Sequence, residues 1–137
     1  MDHYNFILPY SVRVADVNYG GHVANSAVLN FFHDARIAYL AHLGPYSELD
    51  IGQNCGIILP EAQVFYRQEM FLGDLLEIGV KVSALRNSAL VMEYRIEREQ
   101  IVVAEGVTQL VAFDYNERRP RRLPPEFRAA IMQYEKL

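Results

Sequence analysis

From Asn25 onward the apolar residues recur at three- and four-residue steps. Val28, Phe31, Phe32, Ala35, Tyr39 and Leu43 share one face, Leu29, Ile37 and Leu40 widen it, and Asn30, His33 and Asp34 leave only a thin polar stripe. The spacing predicts a helix of roughly 18 residues. Asn25 or Ser26 is expected to cap its start, and Gly44-Pro45 to end it through a left-handed glycine and a residue that cannot continue. A helix this apolar needs something wrapped around it, and the second half of the chain supplies period-two segments. Leu76, Ile78, Val80, Val82 and Ala84 alternate with Glu77, Gly79, Lys81 and Ser83; Leu90, Met92, Tyr94 and Ile96 alternate with Val91, Glu93, Arg95 and Glu97. Arg86-Asn87-Ser88 and Arg98-Glu99-Gln100 have the length of hairpin connections, so these strands run antiparallel.

The stretch Ile101 to Phe113 carries Val103, Val107, Val111 and Phe113 on one face. The other face holds Ala104, Gly106, Thr108, Leu110 and Ala112, small enough on average for a helix to approach closely. Further strands are expected around Phe6 to Ala15 and Ile57 to Glu69, and a C-terminal helix opened by Pro124-Pro125-Glu126. The fold class that follows is α+β: an antiparallel sheet of about five strands curled around one long central helix, with a short C-terminal helix. Val103, Val107 and Val111 make the outer sheet face less polar than a solvated one, which predicts packing on another copy of the chain.

No repeat, linker or low-complexity tract divides the 137 residues, so residues 1–137 read as one domain. A net charge of -4 has the wrong sign for a nucleic-acid partner. The single cysteine, Cys55, excludes an internal disulfide and fits a reducing compartment. No secretory signal is visible, and the longest uncharged stretch, Val17 to His33, is too interrupted by Asn, Gly and His to insert in a membrane. A cytoplasmic protein is expected.

The segment Val12 to Asn25 crowds polar groups between a strand end and a helix start. There the free N–H groups and positive end of the helix dipole lie beside Asp16, Asn18 and His22, while Gly20 and Gly21 let a ligand approach the backbone. A carbonyl oxygen turning into an oxyanion is stabilised in such a place, with His22 as base and Asp16 orienting it or activating water itself. The same residues also read as plain structure: Asp16 and Asn18 making side-chain turns, the glycines turning the chain, His22 capping or packing.

Val12-Arg13-x-x-Asp16-x-Asn18-x-x-Gly21-His22-Val23-x-Asn25, followed by Phe32-x-x-Ala35-Arg36, resembles the signature of hot-dog-fold acyl thioesterases, in the branch similar to 4-hydroxybenzoyl-CoA thioesterase. Leu72-Gly73-Asp74, the strand Ile101 to Phe113 and the Arg119-to-Pro124 tail extend the resemblance over nearly the whole chain. It implies a sheet wrapping a central helix, a homodimer or homotetramer with acyl sites between subunits, and hydrolysis of an acyl-CoA or acyl-carrier-protein thioester with no cofactor. By family position the backbone N–H of Asn25 becomes an oxyanion donor. That branch usually reads Asp-x-Asp, the second acid being the catalytic carboxylate; Asn18 stands in its place, and an amide cannot remove a proton at neutral pH. The base then falls to His22, to Asp16, or to a carboxylate from elsewhere, including across a dimer. With Asn18 positioning water or carbonyl, the catalytic set is Asp16, Asn18, His22 and Asn25.

Gly20, Gly21 and His33 are the candidate substrate contacts beside it, although His33 also reads as a histidine hydrogen-bonded within an interface. The basic cluster Arg118, Arg119, Arg121 and Arg122 offers forked guanidinium groups to the phosphates of coenzyme A, with Arg119, Arg121 and Arg122 as the binding set; the alternative is a solvated tail balanced by Glu117 and Glu126. The acyl tunnel is expected to draw on Phe31, Phe32, Tyr66 and Phe71. The spacing of His22, His33 and His42 fits no zinc motif, and Cys55 lacks a neighbouring base in sequence. Two other functions share the features: a non-catalytic acyl-thioester binding module, and a dehydratase on the same fold, whose motif is not visible.

Overall fold

The computed structural model describes residues 1–137. Strands β1 (Phe6–Ser11), β2 (Gly56–Tyr66), β3 (Leu75–Leu85), β4 (Ala89–Arg98) and β5 (Ile101–Asp114) and helices α1 (Asn25–Leu43) and α2 (Pro125–Glu135) carry the fold, with a two-residue strand β6 (Arg119–Pro120) added to the end of β5. The antiparallel sheet has the order β1-β3-β4-β5-β2, so β1 and β2 are its edges. The sheet wraps α1 as the alternation requires. Ile78, Val80, Met92, Tyr94, Ile96, Ala104, Leu110 and Ala112 are buried on the helix-facing side, against Phe31, Phe32, Ala35 and Tyr39. Gly106 marks the closest approach: an ideal β-carbon there would stand 2.3 Å from Phe32 Cε2. α2 closes the far end, where Glu135 accepts from the Tyr39 hydroxyl at 2.6 Å and from the Val82 N–H at 3.0 Å.

Several local expectations are corrected. β1 ends at Ser11 and a 3₁₀ turn spans Val14–Asp16, because Asp16 takes the Tyr10 hydroxyl (2.7 Å) and the Arg13 N–H (2.9 Å) and so folds the chain off the sheet. β2 ends at Tyr66, because the N–H groups of Arg67 and Gln68 both turn to the Val103 carbonyl. The N-cap of α1 is Ala24, with no side-chain cap. Its own N–H is held by the Asp16 carbonyl at 2.9 Å, which sets the helix start one residue earlier than expected and leaves Asn25 and Ser26 inside the first turn. Gly44 stops α1 in extended backbone, φ 163°, tucked beneath the Tyr46 ring, and so is not a left-handed cap.

On α1 itself, Leu29 (42% exposed) and Ile37 (49%) lie on the outer face with Asn30, His33 and Asp34, so the helix is buried on one side only. A register break between β4 and β5 at Ile96/Glu97 buries Val103 completely, while Val107 and Val111 are half-buried among Glu93, Arg95, Glu105 and Gln109. The outer face is therefore more polar than the valines suggest. The N-terminal segment also crosses it, Tyr4 lying on Gly79 with Lys81 and Arg95 over its ring.

Candidate active site at the head of the central helix

The loop Val17–Val23 is pinned at its ends by a bridge between Val17 and Val23. Within it the Asn18 N–H donates to the His22 carbonyl, the Gly21 N–H to the Asn18 carbonyl (both 3.0 Å), and the Gly20 N–H to Asn18 Oδ1 (2.9 Å). Gly21 sits at φ +80°, which only glycine adopts without strain. A β-carbon on Gly20 would stand 3.1 Å from His22 Nε2 and 3.2 Å from Asn18 Oδ1, so glycine there keeps the imidazole and carboxamide close. The His22 Nδ1 lies 3.2 Å from the Val23 carbonyl. A carbonyl can only accept, so this bond places the ring proton on Nδ1 and leaves the lone pair on Nε2.

The loop is then docked on the segment after β2. Val23 N–H donates to the Met70 carbonyl at 2.7 Å and His22 bridges to Phe71. Arg98 locks that segment from behind through the Glu69 carbonyl and the Asp74 carboxylate, both at 2.8 Å. Between the two lies a cavity of about 290 Å³ lined by His22, Val23, Asn25, Val28, Tyr66, Arg67, Gln68, Glu69 and Met70. The first N–H groups of α1, on Asn25 and Ser26, make no hydrogen bond within the chain. The Tyr66 hydroxyl donates to the Asn25 carbonyl at 2.9 Å. An opening with free amides at a helix head, an imidazole lone pair and a carboxylate in its wall can hold a developing oxyanion and take a proton from water.

The structure brings His22, Asn25 and Tyr66 together here and sends the other candidates elsewhere. Asp16 is turned to Tyr10 and Arg13, away from the His22 ring nitrogens. Asn18 spends its Oδ1 on the loop, so the turn reading holds for both residues while His22 joins the cavity. His33 pairs with Glu48, outside the cavity. Phe31 and Phe32 are fully buried in the core, so they line no tunnel, and Phe71 is half exposed beside His22. Arg121 pairs with Asp114 at 2.8 Å and Arg119 with Glu117 at 2.8 Å, while Arg122 has no carboxylate partner. Backbone N–H groups of Glu117 and Asn116, with Arg121, hold the Asp114 carboxyl below the usual range despite burial. Cys55 is buried, and burial pushes its thiol up, the reverse of an activated nucleophile. No group of three or more His, Cys, Asp or Glu side chains is placed to hold a metal ion, and no helix is long and apolar enough to cross a membrane.

Glu69 is the functional candidate that sequence reasoning missed. It is the only carboxylate in the cavity wall, and in the sequence it reads as the last residue of a strand. Only the pairing of Val23 with Met70 reveals its position, and no local pattern encodes that.

Comparison with known proteins identifies the family. The chain is 26% identical to the acyl-CoA thioesterase YbgC of Haemophilus influenzae, over 92% of this chain and 93% of the relative. It is 27% identical to the 1,4-dihydroxy-2-naphthoyl-CoA hydrolase of Synechococcus elongatus, over 82% and 85%. A crystal structure of a thioesterase from Thermus thermophilus, complexed with coenzyme A and Zn, superposes with a TM-score of 0.88 at 27% identity, covering 100% of this chain and 98% of that one. The sheet-wrapped helix is thus a hot-dog fold, and with residues 12–131 matching the family model, the chain belongs to the thioesterase-like superfamily.

Proposed function

We propose that this protein hydrolyses acyl thioesters of coenzyme A in the cavity at the head of α1. The thioester carbonyl points at the free N–H groups of Asn25 and Ser26. His22 Nε2 takes a proton from water as its oxygen bonds to the carbonyl carbon. The tetrahedral oxyanion is held by the helix head until the C–S bond breaks, and the thiolate leaves with the proton returned by the imidazolium. His22 is carried by the turn that Asn18 and Gly20 close, and the Glu69 carboxylate lies in the same cavity wall. The observation that carries the reading is the His22 Nδ1 contact to the Val23 carbonyl, which aims a basic nitrogen from a loop whose next turn starts the helix.

The enzyme reading is tested by following free thiol release across a panel of acyl-CoA chain lengths. Turnover supports it; tight binding without thiol release makes the chain a binding module instead. A rising limb of kcat/KM near about pH 6.5 assigns the base to an imidazole, and one near about pH 4 assigns it to a carboxylate, with Glu69 first in line.

The working unit is a homo-oligomer. β2 is a sheet edge paired on one side only, with β5, and Leu29 and Ile37 on α1, with Leu59 and Tyr66 on β2, are large apolar side chains left exposed by one copy. A second copy added along that edge covers them and walls the cavity, half of which is otherwise built from exposed residues. A cytoplasmic location suits a substrate carried on coenzyme A.

A further inference from the structure

The geometry points to Tyr66 as a positioning residue for the oxyanion, an inference that rests on the thioester reading of the cavity at the head of α1. The Tyr66 hydroxyl donates to the Asn25 carbonyl at 2.9 Å. That carbonyl and the Ser26 N–H belong to one planar amide, and the Ser26 N–H is one of the two unengaged donors which that reading aims at the substrate carbonyl. A hydrogen bond accepted at one end of an amide polarises it and makes the N–H at the other end a stronger donor. Tyr66 therefore acts on the oxyanion through the peptide between Asn25 and Ser26. It has no proton left to give the substrate, because a phenol carries one and this one is spent.

The first turn of α1 is otherwise thinly held. Its N-cap, Ala24, brings no side-chain bond, and the N–H groups of a first turn lack the intrahelical bonds that stiffen the rest. On one side the Asp16 carbonyl takes the Ala24 N–H at 2.9 Å. On the other stands Tyr66, whose backbone is fixed by the sheet: it pairs with Ala104 of β5, and the next two N–H groups, of Arg67 and Gln68, turn to the Val103 carbonyl at 3.0 Å and 3.1 Å. The ring thus reaches from a rigid sheet edge to the helix head and lines the cavity as it does so. Burial does not demand this bond. Tyr66 is 47% exposed in one copy, so water would serve its hydroxyl, and what the bond fixes is the amide it meets.

Tyr66→Phe removes the hydroxyl and keeps the ring. The expected result is a kcat lowered about tenfold for the acyl-CoA that the wild type turns over fastest, with KM, Tm and the pH of the rising limb unchanged, because the lost polarisation is felt only as negative charge grows on the carbonyl oxygen. Tyr66→Leu, which also takes away part of the cavity wall, should match that loss in kcat and raise KM as well. Without substrate, the Ser26 amide nitrogen resonance of isotope-labelled Tyr66→Phe should move upfield, and that of Asn25, on the preceding peptide, should move less. Undiminished kcat in Tyr66→Phe overturns the inference and leaves the thioesterase reading standing. So does a Ser26 amide that stays in place, or a fall in Tm that accompanies equal changes in kcat and KM. A wild type that releases no thiol from any acyl-CoA overturns both readings, and the thiol assay on the wild type alone tells that case from the others.

Discussion

Phe32 lies flat against Gly106: a β-carbon on the glycine would meet the ring at 2.3 Å, 2.8 Å and 3.1 Å. The ring cannot retreat, because its other neighbour is Tyr94, stacked at 4.6 Å between centroids with an interplanar angle of 21°. Gly106→Ala is therefore expected to destabilise the fold by about 1–3 kcal/mol, the usual cost of overpacking a fixed core. Thermal unfolding measures it. Adding Phe32→Leu should recover part of the loss, so the double variant is less destabilised than the two single changes added together; strict additivity would mean that the contact is not the cause.

His22→Ala removes the only imidazole in the cavity at the head of α1 while its backbone bonds to Asn18 and Phe71 can persist. The expected loss in kcat is about 10²- to 10⁴-fold with KM little changed. Asn18→Asp keeps an oxygen for the Gly20 N–H and adds a carboxylate close to the place the imidazole leaves. Introduced into the His22→Ala background, it should restore part of the rate, with the pH profile moved to the carboxylate range. Full activity in His22→Ala would remove the histidine from the mechanism.

Much of this site lies in the sequence, and its limits have physical causes. Alternation along β5 revealed which face meets the helix, because Gly106 and its small neighbours can serve only a close approach. The polar loop before α1 was legible because Asn, Gly and His cluster nowhere else in the chain. Which of those side chains reach the cavity was not. Asp16 is drawn off by Tyr10, six residues upstream, and Glu69 arrives from a segment more than forty residues downstream. Helical period likewise placed Leu29 and Ile37 near the apolar arc without telling whether the sheet or a second molecule covers them.

Ile37→Glu tests that second molecule. The side chain is half exposed in one copy, so a charge there costs little in the isolated chain but must be desolvated in an apolar interface. The variant is expected to shift the mass seen by light scattering toward a single chain, with the circular dichroism of the fold unchanged. Leu29→Glu, two turns away on the same face, should do the same. Variants that keep an oligomer's mass would place the interface elsewhere, and a wild type already at the mass of one chain would rule the interface out.

Asp114 ends β5 by accepting from the N–H groups of Asn116 and Glu117 and from Arg121. Because these bonds depress its folded-state pKa below the unfolded value, the stability it contributes is fully present above about pH 4 and is lost as the pH falls through the lower, folded value. Asp114→Asn should therefore lower Tm at neutral pH, and the gap to wild type should narrow as the solution is acidified below about pH 4. A gap that stays constant across the acid range would show that the charge is not what matters.

Arg36 is the charged residue α1 carries into the core, 5% exposed, and each of its contacts explains another residue's presence. Its Nε donates to Glu48 at 3.0 Å, and a terminal nitrogen donates to the Tyr94 hydroxyl at 3.0 Å, which in turn lies 2.7 Å from Thr108 Oγ1. His33 bonds the other oxygen of Glu48 from the helix surface. Burial pushes the Glu48 carboxyl up, but the His33 and Arg36 contacts outweigh it, and the group ends below the usual carboxylate range. Removing one partner of such a set leaves the rest desolvated without a counter-charge. Arg36→Met is expected to cost about 3–5 kcal/mol, whereas replacing both ends in Arg36→Met/Glu48→Leu should cost less than the single change. Denaturant unfolding of the two variants decides it. If the double variant is the less stable, the network acts through packing of the guanidinium stem instead of through its charge, because only the charge account makes removal of the second partner a relief.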